Sequence, residues 1–190
     1  MIALCIRSAA AIIFVMALAP CVRAEAAPQV EEFLSTLNAS LVAVAHRSES
    51  GMVGGCARIM TSAVNIDAVA RAAAADAWSR MSPGERTAYR AVVEQRAVRE
   101  CVRQEHHSVA PLKLVGARQS KNGDWLLATR PSQGEAHNLI WRLRDDGQHL
   151  RAVDILFDGR STVFTFRQET KNLLDSNGGN IGMMINAFNR

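Results

Sequence analysis

The chain has 190 residues, 22 Lys+Arg against 18 Asp+Glu, a formal net charge of +4 and a pI near 9.2. Apolar residues make up 48% and charged residues 21%, ordinary globular usage, which excludes a disordered chain, a collagen-like repeat or a coiled-coil rod. Only Lys113, Lys121 and Lys171 are lysines and the cations alternate with Asp and Glu, so no basic patch argues for a nucleic-acid partner.

Residues 1–24 read as a secretory signal peptide. One early cation, Arg7, precedes the apolar stretch Ala9 to Ala19; Pro20 breaks it, and small residues around Ala24 offer a cut site. The stretch is shorter than the roughly 20 residues of a membrane span. Cys21 follows Pro20 rather than a small residue, which argues against lipidation. Residues 25–190 are then a single exported domain. Processing removes Cys5 and Cys21 and leaves Cys56 and Cys101. In an oxidising compartment this pair reads as a disulfide closing a loop of about 46 residues, with two separate buried thiols as the alternative.

Helices come first in the mature chain. Pro28 suits a first turn, and Val30, Phe33, Leu34, Leu37, Leu41 and Val44 form one apolar stripe. A glycine-bearing break is expected from Ser48 to Gly55. Asn65-Ile66-Asp67 then caps an Ala-rich helix through Trp78. Ser82-Pro83-Gly84-Glu85 spells a capping box, opening a helix to about Glu105 with Tyr89, Val92, Val93, Ala97 and Cys101 facing inward.

After Pro111 the pattern changes to alternation. Leu112 to Leu114, Trp125 to Thr129, His137 to Arg144 and Leu150 to Phe157 read as four strands, separated by turns at Asn122-Gly123 and Asp146-Gly147. Leu139, Trp141 and Leu143 share one face of their strand, and Val153, Ile155 and Phe157 share one face of theirs. Helices return over Ser161 to about Leu174 and Asn180 to Phe188. The expected fold class is α+β: an antiparallel four-stranded curved sheet packed against N- and C-terminal helices.

Chemistry-bearing motifs are few. No nucleotide loop, nucleophile elbow or zincin helix occurs. Cys101, Glu105, His106 and His107 do not make a metal site on a helix, because adjacent histidines point about 100° apart. Asp154 reads as a structural acceptor for Arg142 or Arg151, or as the acid/base of an exported pocket enzyme with His137 or His149. No catalytic residue, metal or cofactor is assigned.

Two segments carry a resemblance. Asn65-Ile66-Asp67 through Ala70-Arg71, Trp78, Ser82-Pro83, Glu85 and Tyr89 is the first; Val153-Asp154-Ile155 with Gly159, Ser161, Arg167 and Gly178-Gly179 is the second. Together they resemble the MlaC-type periplasmic phospholipid-binding proteins, also called the toluene-tolerance family, which include a hopanoid-associated relative. Asp76 precedes Trp78 where the family commonly has glycine, and the Cys56/Cys101 pair lies outside its general pattern.

The resemblance implies a periplasmic carrier of phospholipid or a hopanoid-type lipid. Its partners would be an inner-membrane ABC-type transporter and an outer-membrane lipoprotein complex. Leaving one sixteen-carbon tail in water costs about 12 kcal/mol, so such a carrier needs an apolar cavity between its layers. The expected lining is Leu139, Trp141, Leu143, Val153, Ile155 and Phe157 from the sheet, with Val163 and Phe166 from the next helix. Arg142 or Arg151 would meet the head group.

Overall fold

The structure, a computed structural model, describes residues 28–45, 48–105, 111–132 and 138–188. The leader read over residues 1–24, together with His106, His107 and His137, lies outside them.

The apolar stripe after Pro28 forms α1 (Pro28–Ala45), with Val30, Phe33, Leu34, Leu37 and Val44 buried. The stretch expected as a break is helical instead, within α2 (Glu49–Ala63). Glycine serves close approach here: a Cβ on Gly55 would lie 2.3 Å from Val44 Cγ2, so α1 and α2 cross where only hydrogen fits. Asn65 caps α3 (Ile66–Ala74), accepting from the Ala68 N–H at 3.0 Å. The helix expected to continue through Trp78 stops at Ala75, whose φ of 49° breaks the repeat; α4 (Ala77–Arg80) follows.

The capping box forms as read. Ser82 N–H donates to Glu85 Oε2 at 2.8 Å, and Glu85 N–H donates to Ser82 Oγ at 3.3 Å. It opens α5 (Pro83–Glu105), which buries Tyr89, Val92 and Val93 and half-buries Ala97 and Cys101. Cys56 and Cys101 are disulfide-bonded with Cα atoms 5.9 Å apart, tying α2 to α5 and settling the choice between a bridge and two thiols.

Five strands, not four, make an antiparallel sheet in sequential order: β1 (Leu112–Gln119), β2 (Trp125–Pro131), β3 (Leu139–Asp145), β4 (Leu150–Phe157) and β5 (Arg160–Ser161). The added strand is a two-residue return, pairing Ser161 with Leu156 and Arg160 with Phe157 after a turn at Asp158-Gly159. β3 and β4 pair Leu139 with Phe157, Trp141 with Ile155 and Leu143 with Ala152. The register slips between Arg142 and Leu143, so Val153 is an extra residue with no partner across the ladder. Ala152, fully buried, takes the place opposite Leu143 that strict alternation gave to Val153. Val64 bridges to Ala152 alongside this bulge. Helices α6 (Thr162–Ser176) and α7 (Ile181–Ala187) complete the α+β architecture.

The core lies between the helices and one face of the sheet. Leu127 and Leu143 are wholly buried, and Phe33 of α1 meets Trp141 of β3 edge-on at 6.0 Å. Asn38 fastens α1 to β1, donating to the Leu112 carbonyl at 2.9 Å and accepting from its N–H at 2.8 Å.

Candidate functional site

Two concavities flank β3 and β4. A groove of about 370 Å³ opens between α1, α2 and the β3–β4 hairpin, with Phe33, Leu37, Ile59 and Leu150 as its apolar base and Glu32, Ser40 and His149 among its polar rim. Its base continues into the core through the Phe33–Trp141 contact. Trp141 is held in place, since its buried indole N–H donates to Thr129 Oγ1 at 3.0 Å. An open cavity between the layers was the expectation. Side-chain contact fills that layer at Phe33 and Trp141, and the space lies at its edge.

The eight expected lining residues divide. Leu139, Trp141, Leu143, Ile155 and Phe157 share the helix-facing side of the sheet by register, with Trp141 and Leu143 buried and the others half-buried. The bulge turns Val153 away, and it joins Val163 in a second cleft. Phe166 packs elsewhere, stacked on Phe188 at 5.1 Å and tilted against Tyr89 at 6.1 Å.

That second cleft, about 260 Å³, lies against α3, β3, β4 and the start of α6, and includes Arg142, Arg144, Asp154 and Arg167. Arg142 and Arg144 project from the face of β3 opposite Trp141 and Leu143. Both grip Asp124, which is buried: Arg142 Nε donates to Oδ2 at 2.7 Å, and Arg144 Nε and Nη2 donate to Oδ1 and Oδ2 at 2.8 and 3.0 Å. The Arg144 hydrogen bond, aided by Arg142 and against the opposing effect of burial, holds the Asp124 carboxyl below the usual carboxylate range. Asp124 had no assigned role in the sequence; an acid just past a turn, paired with alternating arginines two strands on, is the signal it left.

Arg151 is engaged otherwise. Its Nη2 donates to the carbonyls of Thr61 and Val64 at the end of α2, and Nη1 lies 3.6 Å from Asp146. Asp154 is opposite Arg142 in register, but its oxygens accept from Ser161 Oγ (2.6 Å), Thr162 Oγ1 (3.2 Å) and Val163 N–H (3.1 Å), fixing the start of α6. Asp154 and His149 line different concavities, so the structure does not join them as an acid/base pair. Among the described residues, no three His, Cys, Asp or Glu side chains cluster as a metal site, and no helix is long and apolar enough to cross a membrane.

A family model described as MlaC protein matches residues 29–190. The chain belongs to the MlaC family. Among solved structures it is similar to a phospholipid-binding protein from Ralstonia solanacearum in complex with a phospholipid. The TM-score is 0.72 over 85% of this chain and 93% of that one, at 12% identity, so that likeness is one of fold. No curated protein matches.

The residues that carry the MlaC resemblance prove to be architectural. Two guanidiniums lie over the Trp78 ring, Arg71 at 5.7 Å and Arg86 at 5.5 Å from its centroid, and Arg86 Nε donates to the Trp78 carbonyl. Asp67 pairs with Arg90 at 2.7 Å. Arg167 of the second MlaC segment donates to the Ala72 carbonyl at 2.9 Å, locking α6 against α3 of the first.

Proposed function

We propose that this MlaC protein is a periplasmic lipid carrier without catalytic activity. It would take the apolar part of a phospholipid, or of a hopanoid-type lipid, and pass it between an outer-membrane lipoprotein complex and an inner-membrane ABC-type transporter. The observation that carries the reading is the family match across residues 29–190. The phospholipid bound by the Ralstonia solanacearum protein of the same fold agrees with it.

The groove beside Phe33 is the natural entry, and Leu139, Trp141, Leu143, Ile155 and Phe157 form the sheet wall behind it. At about 370 Å³ the groove is near the lower end for a small-ligand site, so a tail must part Phe33 from Trp141 to go deeper. An edge-to-face aromatic pair is worth about 0.5–1.5 kcal/mol beyond its buried area. Shielding a sixteen-carbon tail returns about 12 kcal/mol, so the exchange is favourable. Val153 and Val163 line the other cleft, and Phe166 packs on Phe188 and Tyr89. Neither head-group candidate lines this groove: Arg151 is committed to α2, and Arg142 lies in the cleft on the opposite face of β3.

An enzyme using Asp154 with a histidine finds less support, because Asp154 is occupied at the α6 start and His149 sits in the other concavity; His137 lies outside the described residues. Organic extraction of the purified protein, followed by lipid mass spectrometry, is expected to release stoichiometric lipid. Lipid-free protein is expected to withdraw lipid from vesicles. Protein that yields none and withdraws none overturns the carrier reading.

A further inference from the structure

The arginine cleft has no part in shielding hydrocarbon, yet its charges are unbalanced. Three guanidiniums, Arg142, Arg144 and Arg167, face two carboxylates, Asp124 and Asp154. Asp124 is buried beneath the first pair, and Asp154 turns its oxygens to Ser161, Thr162 and the Val163 N–H. One positive charge is left over. The hydrogen bonds of Arg142 and Arg167 to described residues run through Nε, to Asp124 and to the Ala72 carbonyl, which leaves their Nη forks to the cleft. Val153 and Val163 line it with apolar surface, which strengthens an electrostatic contact made there.

We propose that this cleft binds a phosphate group. Two guanidiniums come from β3 and one from α6, so donors converge from different elements. A planar carboxylate is satisfied by a single fork, whereas a tetrahedral phosphate offers oxygens in several directions. Phe164 stands 58% exposed at the rim, beside where an esterified phosphate would carry its apolar group. The same chemistry is found in free phosphate and in a lipid head group. The proposal does not depend on where acyl tails go: vesicle withdrawal tests the carrier, and phosphate binding tests the cleft.

Calorimetric titration of the purified protein at low salt, with inorganic phosphate and with sn-glycero-3-phosphoglycerol as probes, decides it. Saturable binding that weakens with added salt is expected. Arg142→Gln and Arg167→Gln should each weaken it about tenfold or more, the effect of losing a hydrogen bond to a charged group. Arg118→Gln removes the same charge from an exposed position of β1 and should change nothing. Arg142→Gln leaves both Arg144 bonds on Asp124, so it carries the test if Arg167→Gln disturbs the α3–α6 contact. Tighter binding of the diester assigns a lipid head group; equal or tighter binding of inorganic phosphate assigns free phosphate. No saturable binding of either probe, or an equal loss in Arg118→Gln, overturns the proposal.

Discussion

Gly55 of α2 lies against Val44 of α1 so closely that an added Cβ would stand 2.3 Å from Val44 Cγ2 and 3.2 Å from its Cβ. Val44 is buried, and contact of this kind is resolved only by moving one helix. Gly55→Ala is therefore expected to destabilise the protein by about 1–3 kcal/mol, overriding the helical preference of alanine, about 1 kcal/mol. Thermal unfolding would show it as a loss of several degrees. Adding Val44→Ala, which removes the nearest methyl, should recover part of the loss; an unchanged melting temperature in Gly55→Ala would contradict the close crossing.

Tyr89 is the chain's single tyrosine, so its phenolate absorbance can be followed without overlap. Burial pushes its pKa up to about 12, against the opposing hydrogen bond to Thr170 and with a small push from Glu169. Tyr89 Oη and Thr170 Oγ1 share a buried 2.7 Å hydrogen bond, and Thr170 Oγ1 also lies 2.8 Å from the Phe166 carbonyl. An unfolded tyrosine ionises near pH 10. The native advantage is thus complete below about pH 10 and is lost as pH rises through about 12. Spectrophotometric titration should show the native phenol silent near pH 10 and the denatured one half-ionised. Tyr89→Phe should cost about 1 kcal/mol at neutral pH and flatten the alkaline slope.

Asp124 sets the acid side. Its carboxyl is depressed by Arg144 first and then Arg142, so in acid the unfolded state binds more protons there than the native state. Stability from this group is whole above about pH 4 and disappears as pH falls through the lower native value. The arginines are 37% and 51% exposed, which screens the interaction. Asp124→Asn is expected to cost about 1–2 kcal/mol at pH 7 and much less at pH 2. Urea unfolding at the two pH values measures the difference; an equal cost at both would mean that the ion pairs do not contribute.

Ala75 has φ 49° and ψ −126°, a conformation that a Cβ disfavours. Ala75→Gly should relieve it and stabilise the protein by about 0.5–1 kcal/mol, less than the strain removed because glycine also frees the unfolded chain. A melting temperature raised by a few degrees is the expected reading, and a fall would show that the α3–α4 junction bears no strain.

Much of the fold was legible because the residues signal it locally. The stripe from Val30 to Val44 and the Ser82/Glu85 box marked α1 and α5, and the alternation from Leu112 to Phe157 marked four strands with their turns. Three features escaped for a common reason: each depends on a distant neighbour. The glycines at 51, 54 and 55 look like a break until Val44 is placed against Gly55. Val153 alternates correctly with Ile155 until Ala152 pairs with Leu143. Ser161 reads as a helical residue until Leu156 pairs with it. The candidate site followed the same rule. Trp141 and Leu143 could be placed from their own strand, whereas Phe33 and Ile59 belong to the groove only because α1 and α2 meet over the hairpin.

The bridge from Cys56 to Cys101 has a mechanical consequence for that groove. One of its banks, α2, is covalently anchored to the long helix behind it. The facing bank, α1, is anchored at its far end by the Val44–Gly55 interlock and along its length by the two Asn38 bonds to Leu112, with Phe33 nearer its start. Widening would therefore resemble a door swung from its hinge side, with the interlock as pivot and the Phe33 end as the moving edge.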